Sequence, residues 1–342
     1  AAENVTILSN EFNMPQLDRN RRIWLFLPKG YQTSTERYPV IYMHDAQNLF
    51  DDNTSFSGEW KVDESINELA EMGATQSIII GIDNGGGLRI DELTPWSHPS
   101  YGGGDGDKYV RFITETLKPY VDENFRTKPD RENTGVMGSS LGGLISYYAA
   151  VQYPEVFGMA GIFSPSFWFS DDIYPFTEAF DNQYDSRFFF LMGEKESASG
   201  VADINAVIAE LEATGFESEN IKKVLKSDGA HSEWFWAREF AEAYLWMMGE
   251  EQLLVTDVKK KVTTEPIVLY PNPVNDILSI QLDHAHANLG VSVYSMSGKL
   301  MHSSMDSDDP TIRIKVASWP TGLYVIQMKT GSTLLTKSFY KD

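Results

Sequence analysis

The stretch Gly138-Ser139-Ser140-Leu141-Gly142-Gly143 constrains this chain more than any other. It follows a short apolar run, Thr134 to Met137, and precedes a helical run, Leu144 to Tyr153, ended by Pro154. A serine therefore sits between a strand and a helix on glycine-flanked backbone, the setting of a nucleophile elbow, G-x-S-x-G. So sharp a turn strains the nucleophile's backbone and leaves no room for neighbouring β-carbons. One frame fits. Ser140 has Gly138 and Gly142 at the required offsets, whereas Ser139 is flanked by Met137 and Leu141. The plainer reading is a Gly/Ser-rich loop whose serine caps the next helix.

The 342 residues suggest about two domains. A net charge of -21 argues against nucleic acid and anionic membrane surfaces as partners. The absence of Cys excludes thiol nucleophiles, disulfides and Cys-based metal sites. No apolar run approaches the ~18 residues of a membrane span. The start, Ala1-Ala2-Glu3, is that expected of a mature chain after signal removal, although a trimmed chain would look the same.

Strands are expected at Val5 to Ser9 and Arg22 to Leu27, then at the buried runs Pro39 to Met43 and Ser77 to Ile82. Asp83 to Asp107 is Gly-rich and reads as a long surface loop. Further strands are expected at Met159 to Phe163, Arg187 to Met192 and Ile221 to Leu225, and a last helix at Glu233 to Met248. Strands alternating with helical patterns predict an α/β fold with a mostly parallel sheet covered on both faces. After Gly249 the pattern changes to strict alternation, as in Leu278 to Leu282 and Ile312 to Val316, with turns at Pro271-Asn272-Pro273, Ser297-Gly298, Pro320-Thr321-Gly322 and Thr330-Gly331. This predicts a small antiparallel β-sandwich. The expected division is 1–249, a linker at 250–265, and 266–342.

A nucleophilic serine needs a base, and the base needs a carboxylate to hold its tautomer. Behind a G-x-S-x-G elbow of the α/β-hydrolase kind, the acid and then the histidine follow the serine in chain order. Of six histidines, His44 and His98 precede Ser140, and His284, His286 and His302 lie in the β-rich tail. His231 remains, in a loop between a strand and a helix, where active-site groups belong in open α/β sheets. Glu194, Glu196 and Asp203 follow the strand Arg187 to Met192, with Asp203 already on a helical face. Glu196 is preferred, and Glu194 is the reserve. The oxyanion hole is expected from the Leu141 N–H and from Ala46 or Gln47 in the loop after an early strand. Asp51, Asp52, Asp105 and Asp107 lack Ca²⁺-loop spacing and read as solvated charges, so no metal site is assigned.

The first ~250 residues (a domain-sized span) resemble the esterase D-like branch of the α/β-hydrolases, which includes carbohydrate esterase family one and siderophore esterases. The matching stretches are VIYMHDAQNLFD from Val40, the segment Trp60 to Glu64, GIDNGG from Gly81, GSSLGG, FSPSFW from Phe163, GEKE from Gly193, and the His231 segment with its trailing tryptophans. The resemblance implies an α/β-hydrolase fold, a Ser-acid-His triad and no cofactor. In this family the acid commonly stands third after the glycine closing its strand. That position is Glu196 here, where many relatives have Asp. In the tail, Tyr270 to Asp276, Val293-Tyr294 with Gly298-Lys299-Leu300, and Pro320 to Tyr324 resemble the C-terminal sorting domain of type IX secretion. That resemblance implies a bacterial secretion machinery as partner and a secreted or cell-surface location. A carbohydrate-binding accessory sandwich is the alternative.

The resulting expectation is a secreted serine carboxylesterase acting on small acyl esters, acetyl or hydroxycinnamoyl, of carbohydrates. Phe167, Trp168 and Trp234 are expected to rim the substrate pocket, since aromatic faces suit sugar or ferulate rings. A siderophore esterase is the alternative enzyme. A non-catalytic surface binding protein on a hydrolase scaffold is the alternative of another class.

Overall fold

In the computed structural model of the protein, the structure describes residues 1–180, 183–197, 199–253, 268–281, 289–295, 299–306, 311–330 and 333–342. Two compact units divide the chain, Ala1–Thr256 and Asp257–Asp342.

In the first unit the strands are β1 (Val5–Met14), β2 (Arg19–Phe26), β3 (Val40–His44), β4 (Ile78–Ile82), the short pair β5 (Ser97–His98) and β6 (Gly102–Gly103), β7 (Thr134–Ser139), β8 (Met159–Phe163), β9 (Arg187–Gly193) and β10 (Ile221–Lys226). Apart from the β5–β6 pair, they form one sheet in the order β1-β2-β4-β3-β7-β8-β9-β10. β1 and β2 pair antiparallel, and β2 pairs antiparallel with β4. From β4 onward every pairing is parallel.

The central strands read as continuous apolar runs because both faces are covered. Alternate residues point to opposite faces. Val40, Tyr42, Ile78, Ile80, Val136, Ile162 and Phe190 face one core, shared with Tyr109 and Phe112 of α3 (Gly106–Phe112) and Leu144 and Ile145 of α5 (Leu141–Gln152). Ile41, Met43, Ile79, Met137, Phe163 and Leu191 face the other core. There α1 (Val62–Glu71) contributes Val62, Ile66 and Leu69, and α8 (Glu233–Met248) contributes Phe235, Phe240 and Leu245. The early strands run longer than their β-branched content predicts, since their pairing extends to Met14 and Arg19. This is the α/β-hydrolase fold that the sequence predicts.

Asp83 to Asp107 is not simply a surface loop. It carries the short helix α2 (Arg89–Leu93) and the β5–β6 pair. Glu92 is buried and pairs with Arg21 at 2.6 Å and Arg19 at 2.9 Å. Buried ion pairs anchor this segment, so hydrophobic periodicity gives no sign of it.

The second unit holds β11 (Val268–Tyr270), β12 (Ile277–Gln281), β13 (Leu289–Ser295), β14 (Leu300–Asp306), β15 (Thr311–Lys315), β16 (Gly322–Thr330) and β17 (Thr333–Lys341). They form two antiparallel sheets, β11-β12-β15 and β14-β13-β16-β17. Leu278, Ile280, Ile312 and Ile314 of one meet Val291, Val293, Ile326 and Phe339 of the other in a single core. The alternation in the sequence thus marks the inward faces. Residues 254–265 of the expected linker, His284, His286, the Ser297-Gly298 turn and Gly331 lie outside the described residues.

Candidate active site

Ser140 sits at the junction of β7 and α5 with φ 61° and ψ −122°. That backbone region is costly for a residue with a side chain, on the order of 1–3 kcal/mol. It is held by the bond from Ser140 N–H to Phe163 O, 2.9 Å, and from Ser166 N–H to Ser140 O, 3.0 Å. Gly138 and Gly143 are sterically required, whereas a β-carbon on Gly142 would meet only ordinary contacts from 3.4 Å. A β-carbon on Gly138 would lie 2.9 Å from the Gly142 carbonyl, and one on Gly143 would lie 2.7 Å from Phe163 O. The Ser140 side chain makes no capping bond to α5. The plainer reading, a capping serine, is therefore set aside. The hydroxyl is instead 3.3 Å from Ser166 Oγ.

Glu196 and His231 come from the loops after β9 and β10, at the same carboxyl end of the parallel strands as Ser140. His231 Nδ1 lies 2.7 Å from Glu196 Oε2. Oε1 of Glu196 accepts from Ser164 Oγ at 2.7 Å and from Gly193 N–H at 2.9 Å. Trp236 Nε1 donates to Ser164 Oγ at 2.8 Å and its ring meets the His231 imidazole edge-on, 5.0 Å between centroids. The reserve acid, Glu194, is exposed; its backbone N–H bonds Lys226 O.

Ser140 and His231 line one cavity of about 240 Å³ with His44, Asp45, Asn48, Phe56, Trp60, Arg89, Glu233 and Trp236. Arg89 and Asp45 are paired. Burial alone would raise the Asp45 carboxyl, but Arg89 and Asn84 outweigh it and hold it below the ordinary carboxylate range. His44 is buried, with Nδ1 2.9 Å from Tyr109 Oη, and desolvation lowers it to about 4, so it is neutral. Glu233 accepts from Asn48 Nδ2 at 3.0 Å, and burial raises its carboxyl.

Several sequence-predicted binding residues lie elsewhere. Phe167 is 1 % exposed and packs on Tyr147 and Phe190, so it belongs to the core rather than the pocket rim. Trp168 is 56 % exposed beside Tyr101, and Trp234 is 51 % exposed under the Arg238 guanidinium; neither lines the cavity. Trp236 does. Residues 234 and 236 are about 200° apart on a helix, so only one of them can face the site. The other aromatic wall is Trp60, stacked on Phe163 at 5.3 Å. The available signal in the sequence was the place of Trp60 directly before the helical pattern of α1.

Leu141 provides the first amide of α5, which has no acceptor within the helix. Ala46 and Gln47 open a short 3₁₀ turn after Asp45. Ala46 is buried, close to Gly81, and the Gln47 side chain brackets Asn84, accepting from its N–H at 3.1 Å.

Among the described residues, Glu59, Asp63 and Glu64 form the acidic group with one ligand oxygen each within 4.8 Å of the others. Burial and then neighbouring carboxylates push Glu59 up to about 7. Asp105 pairs with Lys108, and Asp107 accepts from Tyr148 and Tyr153. The described helices include none long and apolar enough to cross a membrane.

Residues 14–247 match the protein family described as "Putative esterase". The chain belongs to this esterase family. The esterase is 26 % identical over 246 residues to the Bacillus subtilis protein YbbA, covering 68 % of this chain and 94 % of that one. It is 28 % identical over 219 residues to an endo-1,4-beta-xylanase/feruloyl esterase of Xylanibacter ruminicola; the match covers 63 % of this chain and only 27 % of that larger protein. Its fold resembles the enterobactin esterase of Shigella flexneri, with a TM-score of 0.58, 20 % identity, and coverage of 74 % of this chain and 60 % of that one. Residues 268–342 match the secretion system C-terminal sorting domain. The esterase is accordingly a secreted or cell-surface bacterial protein, with a tail of the type IX secretion kind.

Proposed function

We propose that this esterase is a serine carboxylesterase of small acyl esters carried by carbohydrates. The carrying observation is the 2.7 Å contact of Glu196 with His231, in a cavity that Ser140 shares with His231. With Nδ1–H donated to Glu196, His231 Nε2 is left as the base. It takes the Ser140 proton as Oγ attacks the ester carbonyl. The oxyanion is held by the Leu141 N–H and by Ala46 or Gln47. His231 returns the proton to the departing alkoxide as the C–O bond breaks. Water, activated the same way, then releases the acid and regenerates Ser140.

The cavity supports the substrate class. Its volume suits a short acyl or single-ring acyl group. Trp60 and Trp236 supply aromatic walls, and Asn48 and Glu233 supply partners for hydroxyls. Arg89 is neutralised by Asp45, which favours an uncharged substrate over an anionic metal chelate such as a ferric siderophore. The feruloyl esterase relative points the same way. Initial rates on acetylated xylan, methyl ferulate and p-nitrophenyl esters test the reading. Acetyl or feruloyl sugar esters are expected to be hydrolysed fastest. Faster turnover of p-nitrophenyl palmitate would overturn the substrate class.

A further inference from the structure

The last turn of the site is an element that the triad reading leaves unused. Ser164, the residue after β8, is 2 % exposed and has φ +43°, a backbone region that favours glycine. It is nonetheless a serine, and its hydroxyl is fully engaged. It donates to Glu196 Oε1 at 2.7 Å and accepts from Trp236 Nε1 at 2.8 Å. The backbone is fixed as well, since Ser164 N–H bonds Leu191 O at 2.8 Å. Glu196 Oε1 is thereby saturated by Ser164 and by the Gly193 N–H, and Oε2 alone is presented to His231. A glutamate has one more rotatable bond than an aspartate, so its carboxylate needs more partners to hold it in place and in plane against the imidazole.

Resting on the proposed Ser140–His231–Glu196 assignment, we infer that Ser164 is a positioning residue that locks the Glu196 carboxylate through a Trp236–Ser164–Glu196–His231 hydrogen-bond chain. It touches no reacting atom. It acts by holding the imidazole at the angle and tautomer that Ser140 requires, and small misplacements of such groups cost up to about 10²-fold in rate. The positive φ of a non-glycine residue here fits that role, since strained backbone persists where side-chain chemistry requires it.

The test uses the full chain with Ser164→Gly, which removes the hydroxyl while suiting the backbone, and with Ser164→Ala, which keeps the β-carbon. In both, kcat on p-nitrophenyl acetate is expected to fall about 10- to 100-fold, KM to stay within about twofold, and the downfield proton resonance of His231 Nδ1–H to shift or broaden. A purely structural role would lower the thermal midpoint and leave that resonance in place in the folded fraction. Near-wild-type kcat with an unmoved resonance in either folded variant overturns the inference, as does a rise in KM with kcat unchanged. Glu196→Gln is run alongside. If it keeps wild-type turnover, the triad assignment itself fails, a result distinct from a silent Ser164.

Discussion

Arg89 grips Asp45 with two nitrogens, Nε at 2.7 Å from Oδ1 and Nη2 at 2.9 Å from Oδ2. The pair ties the segment after β4 to the turn after β3, on the wall of the Ser140 cavity. Asn84 adds a third bond to Asp45 Oδ1 at 2.7 Å.

Removing one partner of such a pair strands the other charge. Arg89→Met is expected to destabilise the protein by about 3 kcal/mol at neutral pH. The sign of the pH dependence follows from the Asp45 carboxyl being held low in the fold. Its stabilisation is present above the ordinary carboxylate value of about 3.9 and is lost as pH falls through the lower folded value. Urea unfolding of wild type and variant should therefore show a gap that is full at pH 7 and narrows towards pH 3. A gap independent of pH would contradict the pairing argument.

The acid of the site separates two neighbouring glutamates. Glu196→Gln is expected to lower kcat on p-nitrophenyl acetate by about 10⁴-fold, as exchange of the orienting carboxylate for an amide does in comparable triads. Glu194→Gln is expected to leave kcat within about twofold, since surface substitutions away from special features change little. Equal losses in the two variants would place the acid wrongly.

Glu59 is raised to about 7 by burial and by Glu64, Asp52 and Asp63. A carboxyl with a raised folded value binds a proton longer in the native state than in the unfolded chain. Its contribution to stability is full below the unfolded value and falls as pH rises through the folded one. Glu59→Gln should therefore raise the thermal midpoint at pH 8 and leave it unchanged near pH 4. Equal shifts at both pH values would exclude titration of Glu59 as the cause.

The first unit is expected to fold and hydrolyse esters alone, but the cut matters. α8 ends at Met248 with Gly249 in the left-handed region. Beyond it, Glu250 accepts from Thr75 N–H at 2.8 Å and Thr75 Oγ1 at 2.7 Å, and Lys222 pairs with Glu251 at 2.5 Å. A fragment of residues 1–253 should keep full activity. A fragment of residues 1–249 should melt several degrees lower, since hydrogen bonds to a charged group contribute about 1.5–3 kcal/mol. Insolubility of the longer fragment would mean that the tail completes the fold.

Much of this was legible in the sequence because the fold is coded by short-range patterns. Short β-branched runs such as Ser77 to Ile82 read as strands buried on both faces, and the glycines around Ser140 allowed one frame. Elimination together with its loop position makes His231 the candidate base, and the fold brings it to Glu196. The chain's long-range polar contacts were not legible. Nothing local announces that Arg89 reaches Asp45, that Glu92 is buried on Arg21, or that Ser164 bonds Glu196, because each joins separate loops across the sheet. Helical phase was the other limit. Trp234 and Trp236 are equally aromatic, and which one turns inward is set by how α8 packs on the sheet, with Phe235 and Phe240 in the core.

The central claim is that Ser140 is the nucleophile, and its most direct measurement is covalent labelling. The intact protein treated with a fluorophosphonate should gain one adduct, mapped by peptide mass spectrometry to Ser140, with activity lost in step. Ser140→Ala should take no label and keep at most a residual rate of about 10³–10⁴-fold over water, with an unchanged thermal midpoint. A label on another serine, or near-wild-type turnover by Ser140→Ala, would contradict the account.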